Sequence, residues 1–315
     1  MALGTDHVIS TEIGNFIPEL WSDEVVASRK SNLVMVPLVR MLNHRGKKGD
    51  TVKIPTPSRA SASTKSATTQ VTLIEHGTDT GISVVIDQHK EYSRLIEDFA
   101  DVQALASLRR FYTDDAGYAL AKEEDSAVIV EMLRKSGASI TYTASTNKLT
   151  TASTFPTLYE GDGTTWDEGA TTNISDAGIR AFVRLLDLDD APQAGRHLVV
   201  HPYTKEDMLG ISRFSEQAFV GEGSTIRNGY VGDVYGVDVY VSNRMPVVED
   251  SGATADNVLN VMFQSDALVI VEQLGIRTQT QYKQEWLGTL FTADVIFGTK
   301  ILREGHIVPI VTQYS

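Results

Sequence analysis

The chain offers few residues whose type and spacing suit catalysis or metal binding. It has seven histidines and no cysteine, which excludes a thiolate metal site, a cysteine nucleophile and a disulfide framework. His197 and His201 have the four-residue spacing that chelates a metal on a helix. The Leu-Val-Val between them predicts a strand, however, and a strand would separate the two residues by roughly 13 Å. We therefore expect no metal at this pair.

Glycine-rich and acidic segments are the other candidates for binding a phosphate group or a cation. Gly221–Thr225 has the composition of a phosphate loop but lacks the third glycine and the lysine of known signatures. Asp162, Asp167 and Glu168 lie among glycines in an order that does not match a calcium loop, which favours a solvated loop. Asp187–Asp190 could bind a cation, meet a basic partner surface, or simply face water. No segment argues for an enzyme, and we expect no catalytic residue, cofactor or metal.

The composition is that of an acidic globular protein. Aspartate and glutamate number 41 against 28 lysines and arginines, giving a formal charge of −13. A surface this acidic repels phosphate, so a sequence-reading nucleic-acid binder is not expected. No lysine or arginine precedes Arg29, and no apolar run approaches the ~20 residues of a membrane span. We therefore expect folding in a cytoplasm, without membrane association.

Residues 1–48 predict an arm with one short helix. Pro18 suits a first helical position, and Trp21 and Val25 belong to an incomplete apolar stripe. A helix this short needs a surface to lie on. That surface belongs either to the chain's own core or to a neighbouring chain.

Residues 49–92 predict an extended flap. Strand patterns occur at Thr51–Ile54, Gln70–Ile74 and Ile82–Ile86. Of the fourteen residues 56–69, eleven are Ser, Thr or Ala, so the tip has almost nothing large and apolar to bury. The alternative is a surface loop without a function.

Residues 97–136 carry the strongest local pattern. Apolar residues recur at helical spacing from Val102 to Leu133, with acids at the start and bases at the end. A continuous helix here would be roughly 50 Å long and would cross its whole domain. The alternative is a two-helix hairpin broken near residues 113–117.

The remaining residues predict a mixed region of helices and strands. Ser175 caps a helix whose apolar stripe includes Ile179 and Phe182, and Tyr203–Ser212 predicts a second helix. The predicted strands are His197–His201, Val237–Ser242, Val258–Phe263, Ile276–Trp286, Leu290–Phe297 and His306–Val311.

Three segments, taken in order, carry a resemblance to a known family. Leu198–Pro202 predicts a strand that ends in proline before a helix. Asn228–Ser242 holds a Gly-x-x-Gly-x-x-x-Gly turn that feeds a valine-rich strand, which ends near Met245-Pro246. Phe297-Gly298 is also similar. With this order of elements the chain resembles the major capsid protein of tailed bacteriophages, a fold shared with encapsulin shell proteins.

The resemblance implies an α+β fold and a division of labour along the chain. The expected parts are an N-terminal arm (1–48), an extended β loop across a neighbouring subunit (49–92), the spine helix of a peripheral domain (93–137), an axial domain (138–271) and the return strands of the peripheral domain (272–315). It implies a structural protein without enzymatic activity. Such a protein would assemble through pentamers and hexamers into an icosahedral shell around the viral double-stranded DNA.

The resemblance also implies partners. The chain would bind copies of itself in the host cytoplasm and end in the virion capsid, with a portal and optional decoration proteins. A separate scaffolding protein is expected because the sequence contains no long N-terminal scaffolding region. The alternative is a precursor whose scaffolding region is cleaved off. The chain would lie close to the packaged DNA and would contact it only non-specifically. The alternatives are an encapsulin-like compartment shell and a cytoplasmic α/β enzyme with a flap over its site.

The candidate contacts between subunits pair a basic surface with an acidic one. Head-to-tail contacts that close into rings need two complementary surfaces on each subunit. The candidate residues are Trp21 on the arm, Arg59 and Lys65 on the flap tip, and Asp187, Asp189 and Asp190 at the end of a helix.

Overall fold

The structure is a computed structural model. It describes residues 34–46, 48–56, 62, 64–68, 70–71, 80–98, 108–135, 140–143, 148–151, 157–166, 172–212, 232–248 and 257–313. The helices among them are α1 (Met35–Leu38), α2 (Leu108–Leu133), α3 (Asp176–Leu188) and α4 (Pro202–Gly210).

The strands among the described residues follow in chain order. They are β1 (Arg40–Asn43), β2 (Thr51–Thr56), β3 (Thr80–Val85), β4 (Gln88–Glu97), β5 (Ile140–Thr143), β6 (Lys148–Thr151), β7 (Tyr159–Glu160), β8 (Arg196–Val200), β9 (Asp233–Val234), β10 (Val237–Val241), β11 (Val247–Val248), β12 (Asn257–Gln264), β13 (Leu268–Lys283), β14 (Gly288–Ile301) and β15 (Ile307–Gln313). Short 3-10 turns cover Ser265–Ala267, Gln284–Trp286 and Glu304–His306.

One sheet is built around a long antiparallel hairpin. Its strand order is β1-β13-β14-β4, and β4 pairs with β14 along its whole length. β13 and β14 pair from Leu268 opposite Ile301 to Lys283 opposite Gly288, with irregularities between Glu272 and Arg277. The short parallel strand β1 covers only the stretch of β13 from Val269 to Glu272.

A second, nine-stranded sheet has β12 near its centre. Its order is β5-β6-β11-β12-β8-β10-β9, with β15 beside β12 and β7 beside β15. All eight residues of β12 are buried. Leu259 and Phe263 lie in the core that contains α2, whereas Met262 lies in the core with Phe182 of α3. Both faces of β12 are covered, and its five apolar residues accordingly do not alternate with polar ones.

Helix α2 lies between the two sheets. Early in the helix Ala116 and Leu120 are buried, and from Asp125 to Leu133 most of its residues are buried. The same core holds Phe297 from β14 and Val311 from β15, so it joins both sheets. Burying a large aliphatic side chain stabilises a fold by roughly 1.5–3 kcal/mol, and this shared core therefore contributes strongly to the free energy of folding.

Helix α3 forms as the sequence predicts. Ser175 is its N-cap, and the Ser175 hydroxyl accepts a hydrogen bond from the Gly178 amide at 3.0 Å. Ile179, Phe182 and Leu186 are fully buried, while the other side of the helix is exposed.

The predicted helix over residues 97–136 differs from the structure at its start. Strand β4 continues through Glu97 because its ten residues complete a ladder with β14, and this pairing outweighs the local helical pattern. Helix α2 passes residues 113–117 without a break, so the two-helix alternative is wrong at that point. Residues 99–107 lie outside the described part of the chain.

Strand positions in the flap and the long hairpin also differ from the predicted ones. β3 starts at Thr80, two residues before the predicted strand at Ile82. Gln70 and Val71, which begin another predicted strand, are not in a strand. β13 begins well before Ile276, since its first residues continue the buried chain from β12. β15 hydrogen-bonds in the nine-stranded sheet, although 272–315 was expected to form peripheral strands. The domain division itself stays a prediction.

Candidate assembly surfaces

The flap is attached to the body at its root. β2 and β3 pair antiparallel, from Thr51 opposite Val85 to Thr56 opposite Thr80. Val84 is fully buried in a small core with Val269 and Val271 of β13. Gly298 of β14 lies directly beneath, where any side chain would overlap the Val85 carbonyl oxygen. The close approach of the flap root to the long hairpin therefore requires a glycine at Gly298.

The described residues of the flap tip are exposed. Lys65 lies there with its side chain exposed, as do its described neighbours. Arg59, the other predicted basic contact, lies outside the described residues, and so does Trp21 of the arm.

A charged cluster holds the chain where it enters the flap. The Arg45 Nη2 atom lies 2.6 Å from both carboxylate oxygens of Glu272, at the point where β1 has ended. The Gln273 side chain donates to the Gly49 carbonyl at 2.9 Å. A Cβ at Gly275 would lie 2.8 Å from Arg45 Nη2, so a larger residue there would displace the end of the arginine side chain. No sequence signal indicated this cluster, because its members come from distant parts of the chain.

Glu124 of α2 is the third member of this cluster. Burial, assisted by the negative charge of Glu272, raises the pKa of Glu124 to about 7, and Arg45 opposes the rise. Two carboxylates therefore lie within the electrostatic influence of one guanidinium, which contacts Glu272, at a position that is only partly reached by water. The protonation of Glu124 changes near neutral pH, at the junction of α2, β13 and the flap entry.

Asp125 of α2 holds the first turn of α1. Its side chain is fully buried, and its Oδ1 accepts hydrogen bonds from the Met35 amide at 2.7 Å and the Val36 amide at 3.3 Å. Burial raises the pKa of Asp125, and the two backbone hydrogen bonds partly oppose this. The carboxylate thus caps α1, which lies within residues 1–48, the predicted arm, and which packs into the main core through Met35. In the sequence, Asp125 is one of several acidic residues of the predicted helix, and nothing distinguishes it from the others.

The acidic run at the end of α3 is partly used within the subunit. Asp187 forms an ion pair with Arg196, 2.7 Å from its Nη2, and the buried Arg196 also donates to the Ala191 and Pro192 carbonyls. The Asp189 carbonyl accepts from His306 at 3.2 Å, and Asp190 has a left-handed backbone with φ of 53°. All three aspartates remain exposed on one side. Among the described residues, no cluster of potential metal ligands is present.

Ser265, His197 and Asp238 lie close together but are not arranged as a catalytic triad. His197 Nε2 lies 3.0 Å from the Ser265 hydroxyl, which itself donates to the Gly195 carbonyl at 3.2 Å. His197 must then donate through Nε2 and cannot accept the serine proton. Its Nδ1 lies 3.6 Å from Asp238, beyond hydrogen-bond distance. Burial lowers the pKa of His197.

A polar groove of about 250 Å³ separates α2 from β4. Its charged side chains pair with one another, Lys90 with Glu123 at 3.1 Å and Arg134 with Glu131 at 3.7 Å. The Lys90–Glu123 pair joins the strand to the helix, whereas Arg134 and Glu131 pair along the end of the helix, and the two pairs do not converge on one point. Within the described ranges, no helix has the length and apolar character needed to cross a lipid bilayer.

Comparison with known proteins agrees with this architecture. The family model described as "Phage capsid protein" matches residues 91–308. A solved structure from Mycobacterium phage Che8 is 24% identical, with a TM-score of 0.70 over 94% of this chain and 97% of that chain. The capsid of cyanophage P-SCSP1u is 17% identical, with a TM-score of 0.74 over 99% and 97%. Comparison with curated protein sequences gives no match.

A third solved structure shows how far the fold extends beyond sequence likeness. The head structure of Helicobacter pylori bacteriophage KHP40 is 9% identical, with a TM-score of 0.71 over 98% of this chain and 99% of that chain. These structures confirm the predicted α+β capsid fold. The family match spans more than half of the chain and includes α2, most of β4 and all the strands from β5 to β14. The chain therefore belongs to the phage capsid protein family and is a structural protein of the phage shell.

Proposed function

We propose that this chain assembles through pentamers and hexamers into an icosahedral shell that encloses the viral double-stranded DNA. The proposal follows from membership in the capsid family together with one feature of the fold. The flap packs on the body through Val84 and its neighbours, whereas the described residues further along it are exposed. A two-stranded ribbon is only marginally stable by itself, so a neighbouring subunit would complete its environment.

The test is the size of the purified full-length protein in solution and under the electron microscope. Rings of five or six subunits, or closed shells of uniform diameter, support the proposal. A dimer or tetramer that does not grow at high concentration, with a candidate scaffolding protein added, would contradict it.

The flap tip and the acidic end of α3 are proposed as one pair of contacting surfaces. Arg59 and Lys65 would face Asp189 and Asp190 of the next subunit, since Asp187 already holds Arg196. Changing Arg59 and Lys65 to Glu should hinder assembly and leave the melting temperature unchanged. Reversing Asp189 and Asp190 to Lys in the same chain should restore assembly. Unchanged assembly of the first variant would remove this pair from the contact.

The remaining roles belong to the same proposal. The shell would include a portal and optional decoration proteins. It would assemble on a separate scaffolding protein in the host cytoplasm. Its contacts with the packaged DNA would not depend on the DNA sequence. The net charge of −13 supports weak contact with DNA. We infer no enzymatic role. An encapsulin-like compartment has the same fold, and the family match favours the phage shell over it.

A further inference from the structure

The connection between β1 and β2 carries the chain from the body into the flap. We call residues 44–49 the flap entry. Gly46 and Gly49 have φ of 73° and 128°, values that residues other than glycine rarely adopt. The described residues leave room for a side chain at both positions, so the backbone requires glycine there and the packing does not. Two such glycines can absorb the backbone rotation of a hinge.

Contacts from β13 hold the flap entry in one position. The His44 amide donates to the Glu272 carbonyl at 2.9 Å, and the Gln273 side chain donates to the Gly49 carbonyl at 2.9 Å. Between these two contacts, the Arg45 guanidinium lies 2.6 Å from both carboxylate oxygens of Glu272. Two consecutive residues of one strand therefore hold both ends of the flap entry.

Strand β13 is irregular where it makes these contacts. Its register with β14 shifts between Glu272 and Leu274, and irregularities of this kind re-aim side chains. The Glu272 side chain is only 10% exposed, whereas the Arg45 side chain that pairs with it is 55% exposed. Moving Arg45 away would leave a nearly buried carboxylate without a counter-charge, which is unfavourable. The ion pair therefore opposes rotation of the flap entry.

Glu124 brings a second carboxyl group to this ion pair. It lies on α2, which packs against β13. Burial, and then the negative charge of Glu272, raise the pKa of Glu124 to about 7, and Arg45 opposes the rise. Once ionised, Glu124 repels Glu272 and competes with it for Arg45. The cluster then holds two negative charges and one positive charge in a place that water reaches only in part.

The other charged and titratable groups near Glu124 have different surroundings. Glu123, the preceding residue of α2, pairs with Lys90 of β4 at 3.1 Å. The flap entry also carries Lys48, which is exposed, and His44, which is half-buried. The charges that change the pKa of Glu124 are those of the Arg45–Glu272 pair itself.

We propose that Glu124, Glu272 and Arg45 form a pH-dependent latch on the flap entry. With Glu124 protonated, Arg45 and Glu272 form a neutral pair and the latch is closed. With Glu124 ionised, the excess negative charge weakens the pair, and the flap entry rotates about Gly46 and Gly49. The latch therefore loosens as the pH rises through neutrality. It is a property of the single subunit, so it does not depend on the proposed function.

The first experiment measures hydrogen exchange in the unassembled full-length chain between about pH 6 and about pH 8.5. After correction for intrinsic exchange, the rate at the His44 amide should rise several-fold, at most about tenfold, as Glu124 loses its proton. Glu124→Gln cannot ionise and should show no rise. Glu123→Gln is the matched control and should behave like the wild type. A rise that persists in Glu124→Gln would overturn the inference.

The strand β12 supplies the internal reference for this experiment. It is buried along its whole length, so its amides exchange when the whole subunit unfolds. The Leu259 amide should therefore exchange far more slowly than the His44 amide at every pH. Equal rates at the two amides would show that the subunit opens as one unit, and this would overturn a local latch.

The second experiment opens the latch without changing a charge. A Cβ at Gly275 would lie 2.9 Å from Glu272 Oε1 and 2.8 Å from Arg45 Nη2, so Gly275→Ala places a methyl group against the ion pair. This variant should speed exchange at His44 several-fold even at the lowest pH. Gly81→Ala is the control, since its Cβ would lie 3.5 Å from a carbonyl oxygen, an ordinary contact. Exchange in Gly275→Ala at the wild-type rate would overturn the role of the pair.

Discussion

Strands β12 and β13 follow one another in the chain but end in opposite environments. β12 is buried along its whole length, between β15 and β8 on its edges and two cores on its faces. β13 begins equally buried, and its side chains are exposed from Ile276 to Tyr282. The change occurs at the irregular stretch after Glu272, where β1 no longer covers the edge.

This difference separates what the chain needs to fold from what it offers for assembly. A strand that is covered on both faces and both edges contributes to folding within one subunit. A strand that extends beyond its core contributes little to the stability of that subunit and leaves edge and faces open to a neighbour. The four predictions below test this separation, from the largest expected effect to the smallest.

The largest effect is expected in the centre of the nine-stranded sheet. Phe263 of β12 is fully buried, and Phe263→Ala should lower the free energy of unfolding by about 3–5 kcal/mol because it leaves a cavity. Thr280→Ala on the exposed part of β13 should change it by less than about 0.5 kcal/mol. Denaturant unfolding of the unassembled subunit measures both. Similar losses at the two positions would contradict the separation.

Asp125 should have the next largest effect. Asp125→Ala leaves the buried Met35 and Val36 amides without their acceptor, which should cost about 1–3 kcal/mol of unfolding free energy. Asp125→Asn keeps an oxygen at the same place and should cost less. Hydrogen exchange at the two amides reports directly on this cap. Equal protection in the wild type and Asp125→Ala would show that another group fixes α1.

Glu124 lies at the junction where β13 leaves the core, and it should make stability depend on pH. Its pKa is raised from 4.5 to about 7, so its contribution is complete below pH 4.5 and is lost as the pH rises through 7. Glu124→Gln removes this loss. The variant should gain about 1 kcal/mol relative to the wild type between pH 5 and pH 8, after allowance for solvent screening. A difference that is constant over this range would contradict the assignment.

The smallest effect is expected at the ion pair on the exposed part of β13. Arg277 contacts both carboxylate oxygens of Asp294, at 2.7 and 2.9 Å, and lowers the pKa of Asp294. Stability from Asp294 is therefore present above its ordinary pKa of 3.8 and is lost as the pH falls. Arg277→Ala should weaken this acid dependence, and the difference from the wild type should shrink as salt is added. A salt-independent loss would indicate a packing role for the arginine.

Local patterns predicted some elements well and others poorly, for physical reasons. Helix α3 has a capping serine and a stripe at Ile179 and Phe182, and both act over a few residues. The ladder that extends β4 to Glu97 depends on β14, which lies far along the chain. The site was less predictable than the fold. Lys65 and the α3 acids are exposed as expected, but the internal bond of Asp187 to Arg196 had no local signal.

The sequence by itself determined the family and the main elements, because ordered motifs and side-chain periodicity are properties of neighbouring residues. Only the tertiary structure decided which distant groups meet. Arg45 and Glu272 are 227 positions apart, and Met35 is 90 positions from Asp125. The tertiary structure also decided that the side chains of β13 from Ile276 to Tyr282 are exposed on both faces of the strand. Periodicity marks which residues share a face, whereas burial depends on what the rest of the chain places against that face.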